Sequence, residues 1–594
     1  TATSLASPPL AQLVQSTTYT IDPANGNVLR VTDPLNNFEN FTYDARGNLN
    51  QYEDKNRNAT NYTYDNSGNY LTRESSQGIT KNYTYDVYGN RSSYTDPLST
   101  NFTYEYDTQE NLRKQTNPVG NKVYEYDLEN HRTAETDELG HRTNYAYDTD
   151  TGASLLRSEK VGDGGVTLTT VREYDWFGNI SKEVDPKGNQ TRYFYNGANR
   201  LATKTEPFNS IEYEYDSSGN LISETNPLGQ RTLYFYDARR NPTELRRYLE
   251  GDNYVSNKKE YAGLNRVVKE IDGNNNQTLY VYDLANRVTQ KTDALAVTTS
   301  YSYDNNGNKT LETNPRGNAT TFIYDSLNRL TRITNAQNKQ TVNSYDANGN
   351  LISIVDRRNA DGTANLHVTS FTFDSLNRKT EETNSLGQKN IFTYDADSNL
   401  RTKTDRENRT WNYSYDEFNR LVSETDPSAN ATFYVYDLNG NKTAVTYPDA
   451  TQTNFEYDAA NRLTKTTDQL GKMRTYTYDA VGNKLSESDK RGIATSYTYD
   501  KLNRLASETN PQNTVTAYAY DGNSNRLTEN VAGKTTTYAY DALNRKTQIT
   551  YPGGKTESSQ YDANGNLWRA LDGDALVTQF TYDSLDRPTL KALP

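Results

Sequence analysis

Aromatic and polar residues alternate in short stretches that recur along the whole chain, as in Tyr497-Thr498-Tyr499. Side chains of a β-strand point alternately to its two faces. A period of two therefore predicts a strand with one aromatic face and one Thr/Ser/Glu face. Tyrosine is typical of a face that is only partly shielded from water, because the ring supplies apolar area while the hydroxyl needs a hydrogen-bond partner.

These stretches follow a fixed period. Twenty-six of them, from Tyr43 to Tyr582, end in a Tyr-Asp pair or a degenerate copy of it, and we call its first residue the marker. Nineteen of the twenty-five intervals between markers are 21 residues long, three are 20 and three are longer. We predict a lead-in over residues 1–18 and one continuous repeat array over 19–594, with insertions within 148–173, 237–260 and 346–372.

Each marker is followed by residues that favour a tight turn. Aspartate comes next, and glycine or asparagine stands four residues after the marker in twenty of the twenty-six repeats. Aspartate at the first position and a residue tolerant of positive φ at the fourth suit a type I turn with a bulge. The structural repeat markers predicted in this way include Tyr43, Asp44, Gly47, Tyr64, Asp65, Gly68, Tyr85, Asp86, Gly89, Tyr415, Asp416, Asn419, Tyr436, Asp437, Gly440, Tyr499, Asp500 and Asn503.

A second strand follows each turn, commonly from a leucine, and ends in Glu-Thr-Asp-Pro or Glu-Thr-Asn-Pro, which is another turn signal. Each repeat is therefore a β-hairpin, and the fold class is all-β: a long antiparallel array of about 26 hairpins. Laid flat, the array would be on the order of 250 Å long. Because strand twist accumulates, we expect it to coil into a spiral β-sheet shell or tube. The insertions predict extended hairpins, or loops that rim an opening or contact neighbouring material.

Composition alone resembles that of disordered proteins, with 33% hydrophobic residues and a formal net charge of -13. Fifty tyrosines at a fixed period argue for order instead. The absence of cysteine excludes a disulfide framework and thiolate metal sites. Cations are interspersed with carboxylates, and no apolar run reaches the roughly 18–20 residues of a membrane helix, so we expect neither nucleic-acid binding nor membrane insertion. A start at Thr1 without a visible signal peptide indicates a fragment or a processed product.

No enzyme motif stands out. The three histidines, His131, His141 and His367, lack the spacing of a metal site or a catalytic triad, and we expect His131 and His141 in solvated turns. The carboxylates recur with the repeat, which favours turn capping. We therefore predict no catalytic, cofactor-binding or metal-binding residues and a non-enzymatic protein. Ca²⁺ held by Asp/Asn-rich turns is the one cofactor left open, because that ion takes oxygen ligands. Sequons such as the one at Asn40 leave surface glycosylation open.

The pattern Tyr-x-Tyr-Asp-x-x-Gly-(Asn/Arg)-Leu, followed by Thr-(Asp/Asn)-Pro-x-Gly, resembles the YD-repeat (Rhs) family over nearly the entire chain. That family includes bacterial Rhs toxins, shell components of insecticidal toxin complexes, wall-associated proteins and the animal teneurins. The resemblance implies a sheet that spirals into a hollow shell, around a C-terminal effector in the toxins and as an adhesion scaffold in teneurins. The last residues, TYDSLDRPTLKALP, are still repeat-like, so we expect no cap or effector here, and the self-cleavage of the toxins is not transferred to Asp185.

Three functions fit this sequence. The first is a structural segment of a secreted or cell-surface bacterial protein whose hollow β-shell encloses a polypeptide cargo such as a toxin. The second is an extracellular adhesive or structural β-tube or fibre. The third is carbohydrate binding through tyrosine rows. The partners expected are the remainder of a larger polypeptide or its cargo, further copies joined through terminal strands, and surface glycans.

Overall fold

The protein is described by a computed structural model over residues 16–148, 154–162, 165–249, 253–357 and 366–593. In these residues 54 strands belong to one sheet, which we number β1 to β54 in chain order. A 3₁₀ turn, Gly263–Asn265, precedes β24.

The odd-numbered strands contain the aromatic stretches and end at, or one residue beyond, a marker position. From β1 to β53 they are, in order, Thr18–Ile21, Phe38–Tyr43, Ala59–Tyr64, Ile79–Tyr85, Asn101–Tyr106, Gly120–Tyr126, Arg142–Tyr147, Thr167–Tyr174, Gln190–Tyr195, Asn209–Tyr215, Arg231–Tyr236, Tyr254–Ala262, Gln277–Tyr282, Thr298–Tyr303, Ala319–Tyr324, Gln340–Tyr345, Leu366–Phe373, Lys389–Tyr394, Thr410–Tyr415, Ala431–Tyr436, Gln452–Tyr457, Met473–Tyr478, Ala494–Tyr499, Val515–Tyr520, Lys534–Tyr540, Thr556–Tyr561 and Val577–Tyr582.

The even-numbered strands follow the marker turns. From β2 to β54 they are, in order, Val28–Thr32, Leu49–Glu53, Leu71–Ser76, Arg91–Thr95, Leu112–Asn117, Arg132–Thr136, Leu155–Val161, Ile180–Val184, Leu201–Glu206, Leu221–Thr225, Pro242–Tyr248, Arg266–Ile271, Val288–Thr292, Lys309–Thr313, Leu330–Thr334, Leu351–Arg357, Lys379–Thr383, Leu400–Thr404, Leu421–Thr425, Lys442–Thr446, Leu463–Thr467, Lys484–Ser488, Leu505–Thr509, Arg526–Val531, Lys546–Thr550, Leu567–Leu571 and Pro588–Ala592.

Strands that are consecutive in the chain pair antiparallel, which confirms the predicted all-β hairpin array. In β39 and β40, for example, Tyr434 lies opposite Val445, and the register shifts by one residue between Val435 and the marker Tyr436. The same shift stands before the marker in the other repeats, as at Tyr43 and Tyr499. Among the described strands no pairing joins β1 to β54, so the sheet is not closed.

Both kinds of turn have the predicted geometry. In the turn after β39, which we call a YD turn because it follows a marker, the Gly440 N–H donates to the Asp437 carbonyl at 3.1 Å, and Gly440 has φ +85°. In the turn after β16, the Gly188 N–H donates to the Asp185 carbonyl at 2.9 Å. We call the turns after even-numbered strands DP turns. YD turns lie at one edge of the hairpins and DP turns at the other.

The sheet has little conventional core. Among the described residues only four apolar ones are buried, Ala134, Val255, Ala444 and Val445. In β39 the side chains of Tyr434 and Tyr436 are half-buried, whereas those of Phe433 and Val435, on the opposite face, are exposed. The tyrosine face is therefore the drier face of a single layer. No helix in the described residues has the length and apolar character needed to cross a membrane.

Contacts divide the chain into two units. Unit 1 combines residues up to 101 with 278–368 and 584–586, and unit 2 combines 102–277 with 369–583 and the residues from 587 onward. Each unit thus brings together two stretches that are far apart in the sequence. Around the three insertions the strands are longer than usual, reaching nine residues in β23. Residues 149–153, 163–164, 250–252 and 358–365, which belong to the predicted insertions, lie outside the described residues, as do residues 1–15 and 594.

Candidate functional site

The marker tyrosines tie each hairpin to the preceding one. The Tyr436 hydroxyl donates to the carbonyl of Leu421, the first residue of β38, at 2.8 Å. In the described residues at least twenty-one marker tyrosines make this bond to a carbonyl near the start of the preceding even-numbered strand. The marker hydroxyl, for which the sequence alone indicated no partner, therefore satisfies a backbone carbonyl, and phenylalanine, present at the marker Phe373, cannot make this bond.

A second row of aromatic residues stands two residues before most markers, and several of its members face a charged residue on the neighbouring strand. Rings pack directly at a few places, such as Phe41 and Tyr52, whose centroids are 5.4 Å apart. In several other repeats the residue opposite the upstream tyrosine is a glutamate, as Glu424 is opposite Tyr413. Burial, followed by the charge of nearby Glu39, raises the pKa of the Tyr52 hydroxyl to about 12. The Tyr52 hydroxyl therefore stays neutral at physiological pH.

The turn aspartates cap their own turns. Asp44 Oδ1 accepts the N–H groups of Arg46 and Asn48 at 2.8 and 2.9 Å. The bond from the Asn48 N–H holds the pKa of the Asp44 carboxyl below its usual value. The Arg409 guanidinium lowers the pKa of Asp405 to about 2. These carboxylates have the role that the sequence predicted for them, and they leave little unused acceptor capacity inside each turn.

Neighbouring YD turns are linked by hydrogen bonds in an alternating pattern that the sequence analysis did not predict. From Tyr303 onward, the fifth residue after the marker is alternately asparagine and arginine, a period of two repeats. Asn441 Nδ2 donates to Asn461 Oδ1 in the next turn at 2.7 Å. Arg329 donates to Asp325 Oδ2 and to the carbonyl of Asp346 in the next turn, both at 2.8 Å. The alternation is visible in the sequence and could have revealed this pattern.

In unit 1, YD turns of one stretch contact DP turns of the other. Asn306 Nδ2 donates to Asp54 Oδ2 at 2.7 Å, and Asn56 Nδ2 donates back to Asp304 Oδ2 at 3.0 Å. The donor in each case stands two residues after the aspartate of its own turn. A similar bond joins Asn348 Nδ2 to Asp96 Oδ2 at 2.7 Å.

Unit 2 repeats the arrangement with other residues. Asn439 Nδ2 donates to Asp185 Oδ2 at 2.7 Å, and the Lys187 ammonium lies 3.0 Å from Asp437 Oδ2. A further reciprocal pair joins the turns of Asp272 and Asp521, where Asn523 Nδ2 donates to Asp272 Oδ2 at 2.7 Å and the return bond is 2.9 Å.

The backbones of that last pair approach so closely that only glycine fits. A Cβ on Gly273 would stand 2.3 Å from the Gly522 carbonyl oxygen, and one on Gly522 would stand 2.1 Å from the Gly273 carbonyl oxygen. We refer to these turn-to-turn contacts within each unit as the seam. Its partners are twelve repeats apart in both units, as the markers Tyr43 and Tyr303 are.

Of the predicted markers, Asp437 reaches the seam, whereas Asp44, Asp65, Asp86, Asp416 and Asp500 accept hydrogen bonds within their own turns. The predicted turn residues have positive φ, as at Gly47 (+89°), Asn419 (+61°) and Asn503 (+59°). Gly68 and Gly89 have φ +77° and +94°. His367 is exposed. His131 and His141 stand in turns as predicted, but both are half-buried, and each Nδ1 lies 3.1 Å from its turn aspartate.

The comparisons with known proteins agree with this architecture. The family model described as RHS Repeat matches residues 174–210, 215–251, 282–319, 303–341, 345–389, 394–431, 436–473, 457–495, 478–513, 499–532 and 526–556, which together make up more than half of the chain. No curated protein sequence matches the chain.

Two solved structures are similar in fold. Against the TcdB2-TccC3-Cdc42 crystal structure the TM-score is 0.54 at 12% identity, over 96% of this chain and 42% of that chain. Against the TcdB2-TccC3 crystal structure the TM-score and the identity are the same, over 96% and 40% of the two chains. The present chain thus spans less than half the length of these solved chains.

Proposed function

The chain belongs to the Rhs repeat family, and from this premise we propose that it is a structural segment of a secreted or cell-surface bacterial protein. In this proposal its sheet forms part of the wall of a hollow shell around a polypeptide cargo such as a toxin. The likeness to TcdB2-TccC3 structures, in which the matching chains are more than twice as long, supports a place within a larger polypeptide or assembly.

The seam is the observation that supports this proposal most. A one-layer sheet with four buried apolar residues has little interior to stiffen it. Reciprocal amide–carboxylate bonds at a constant offset of twelve repeats hold separate stretches of the sheet edge to edge in each unit. Charge-assisted hydrogen bonds of this kind are stronger than neutral ones. A hollow shell needs a continuous wall in which separate stretches of the sheet are held together.

The side chains also support a non-enzymatic role. The recurrent aspartates cap turns, and the marker hydroxyls are engaged by backbone carbonyls. The same engagement argues against carbohydrate binding through the hydroxyls of the marker row, because these hydroxyls already have partners.

Proteolysis of the full polypeptide encoded by the natural gene tests enclosure. We expect a cargo segment that resists trypsin in the intact protein and is cleaved when Asn439→Asp and Asn523→Asp together break the seam in unit 2. Asn69→Asp, at an exposed position that follows a YD turn of unit 1, is the control and should leave the protection unchanged. A segment that trypsin cleaves equally in all three proteins, or cryo-microscopy particles without interior density, would overturn the proposal.

A fibre is the second candidate, and exposed apolar residues favour it. Val87 and Trp176, in YD turns of the earlier stretch of each unit, are 92% and 97% exposed. Equivalent turns of the later stretches contact DP turns, so these free edges suit another stretch of sheet from the same polypeptide or from a second copy. Sedimentation of the purified full protein separates the two cases, since concentration-dependent polymers that Trp176→Ser abolishes would favour the fibre.

A further inference from the structure

One turn pair in the seam of unit 2 breaks the amide–carboxylate rule. At four places an asparagine two residues into a YD turn donates to the aspartate of a DP turn at 2.7 Å. In the YD turn after β35 the equivalent residue is Asp397, and it faces the turn of Asp137. An ionised carboxylate has no proton to donate to another carboxylate, so the amide–carboxylate contact of the other four places is not made there.

The Asp397 side chain is buried, and its one ion-pair contact among the described residues is with His141. It is only 5% exposed, and neither of its carboxylate oxygens has a hydrogen-bond partner. Burying an uncompensated carboxylate is costly, so such groups are normally paired, protonated or bound to a metal ion. Burial, followed by the charge of Asp137, raises the pKa of Asp397.

A histidine completes the group. His141 Nδ1 lies 3.1 Å from Asp137 Oδ2 and 3.6 Å from Asp397 Oδ2, and ligand atoms of the three residues lie within 4.8 Å of one another. Asp137 Oδ1 is occupied by the N–H groups of Leu139 and His141, so Oδ2 is the oxygen that faces the cluster. Ligand atoms around a tetrahedral zinc ion, at bond lengths of about 2.0–2.2 Å, lie roughly 3.3 Å apart, close to the two distances observed here.

The other charged residues around the cluster balance one another. The three residues lie in a cavity of about 300 Å³ whose lining also includes two carboxylates, Glu135 and Glu138, and two lysines, Lys122 and Lys160. Glu138 is 8% exposed and lies 3.6 Å from the Lys122 ammonium, so that this cation is shared with another carboxylate. The cavity is roomy enough for an ion with one or two water molecules.

We propose that Asp137, His141 and Asp397 bind one divalent transition-metal ion, such as Zn²⁺, which joins the two stretches of the sheet in unit 2. An imidazole nitrogen with two carboxylate oxygens is a ligand set for such ions, whereas Ca²⁺ takes oxygen ligands. Asp137 and His141 come from the turn between β12 and β13, and Asp397 comes from the turn between β35 and β36, twelve repeats later. The ion replaces the missing amide–carboxylate bond with a metal bridge.

Two variants separate metal binding from folding. Asp397→Asn restores the residue type found at the other four places, and His141→Asn restores the asparagine that many turns carry at this position. Both should fold. His131→Asn is the matched control, because His131 Nδ1 is also 3.1 Å from its turn aspartate, Asp127, but the described residues place no third carboxylate there.

The experiment uses the whole chain, stripped with a chelator and titrated with ZnCl₂, CoCl₂ and CaCl₂. We expect one Zn²⁺ per chain and a thermal midpoint that rises with Zn²⁺ for the wild type and for His131→Asn. Asp397→Asn and His141→Asn should lose this binding at least tenfold while keeping the β-sheet circular dichroism spectrum. The bound Co²⁺ should show the visible absorption of a tetrahedral site. Retained Zn²⁺ binding in Asp397→Asn, no binding by the wild type, or tighter binding of Ca²⁺ than of Zn²⁺ would each overturn the proposal.

Discussion

At the scale of single residues, tyrosine and aspartate carry the repeat because each satisfies backbone groups that a one-layer sheet cannot bury. The marker hydroxyl reaches the carbonyl at the start of the preceding even-numbered strand, as Tyr436 reaches Leu421. The turn aspartate accepts two N–H groups with one oxygen, as Asp44 does. Aromatic area and polar satisfaction are thus provided by the same side chains.

We expect Tyr436→Phe to destabilise the hairpins around β38 and β39. The change leaves the Leu421 carbonyl without its 2.8 Å donor, and a hydrogen bond of this kind contributes about 0.5–1.5 kcal/mol. Hydrogen–deuterium exchange of peptides covering residues 421–441 should therefore rise several-fold. Tyr88→Phe, at a side chain 73% exposed, is the control. Equal exchange in both variants would show that the hydroxyl bond contributes nothing.

At the scale of turns and strands, seam contacts depend on what stands one and two residues after the turn aspartate. A donor such as Asn523 two residues on makes the reciprocal bond to Asp272. A glycine one residue on permits the close approach of Gly273 and Gly522. Turns that lack these residues cap themselves equally well but cannot make this contact.

Gly522→Ala should lower the thermal midpoint, because its Cβ would stand 2.1 Å from the Gly273 carbonyl oxygen and force the two turns apart. Gly197→Ala is a matched control at the same turn position, where nothing lies within 4 Å of the added carbon. We expect a loss of about 1–3 kcal/mol for the first change, as for overpacking in general, and less than about 0.5 kcal/mol for the second. The prediction is wrong if differential scanning calorimetry finds the two midpoints equal.

Acid should weaken the turns collectively. Hydrogen bonds lower the pKa of turn aspartates such as Asp44 and Asp216 below the ordinary 3.8, and the Arg409 guanidinium lowers that of Asp405 to about 2. A lowered pKa in the folded state stabilises the fold above the unfolded value, and this stabilisation is lost as the pH falls through the folded value. The thermal midpoint should therefore be flat from about pH 7 to 5 and fall between about pH 4 and 2. A midpoint unchanged at about pH 2.5 would contradict this.

At the scale of the molecule, the seam makes each unit depend on residues that are far apart in the sequence. In repeat proteins whose repeats touch only their neighbours, stability is a sum of local terms. Here Asp54 and Asn306 are 252 residues apart and hydrogen-bonded. Contacts at a constant offset therefore give each unit a second, non-local source of cooperativity.

Asn306→Ala should expose this coupling. Loss of its bond to Asp54 should raise hydrogen exchange in residues 49–64 as well as around residue 306, by roughly five-fold for a loss of about 1 kcal/mol. Unit 2 should not respond. Asn69→Ala, at an exposed position that follows a YD turn of unit 1, serves as the control. A change confined to the neighbours of residue 306 would mean that the units behave as simple linear arrays.

The sequence by itself determined the hairpin, its length, its turns and the face on which the tyrosines lie, because all of these follow from local periodicity and from residues that tolerate positive φ. The sequence also contains the alternation of asparagine and arginine after Tyr303, but only the contacts of the folded chain show what these residues do. Which turns meet was decided by tertiary structure, since an offset of twelve repeats depends on accumulated twist that no single repeat encodes. For the same reason His141 and Asp397 appeared as ordinary turn residues, and only the folded chain places them 3.6 Å apart.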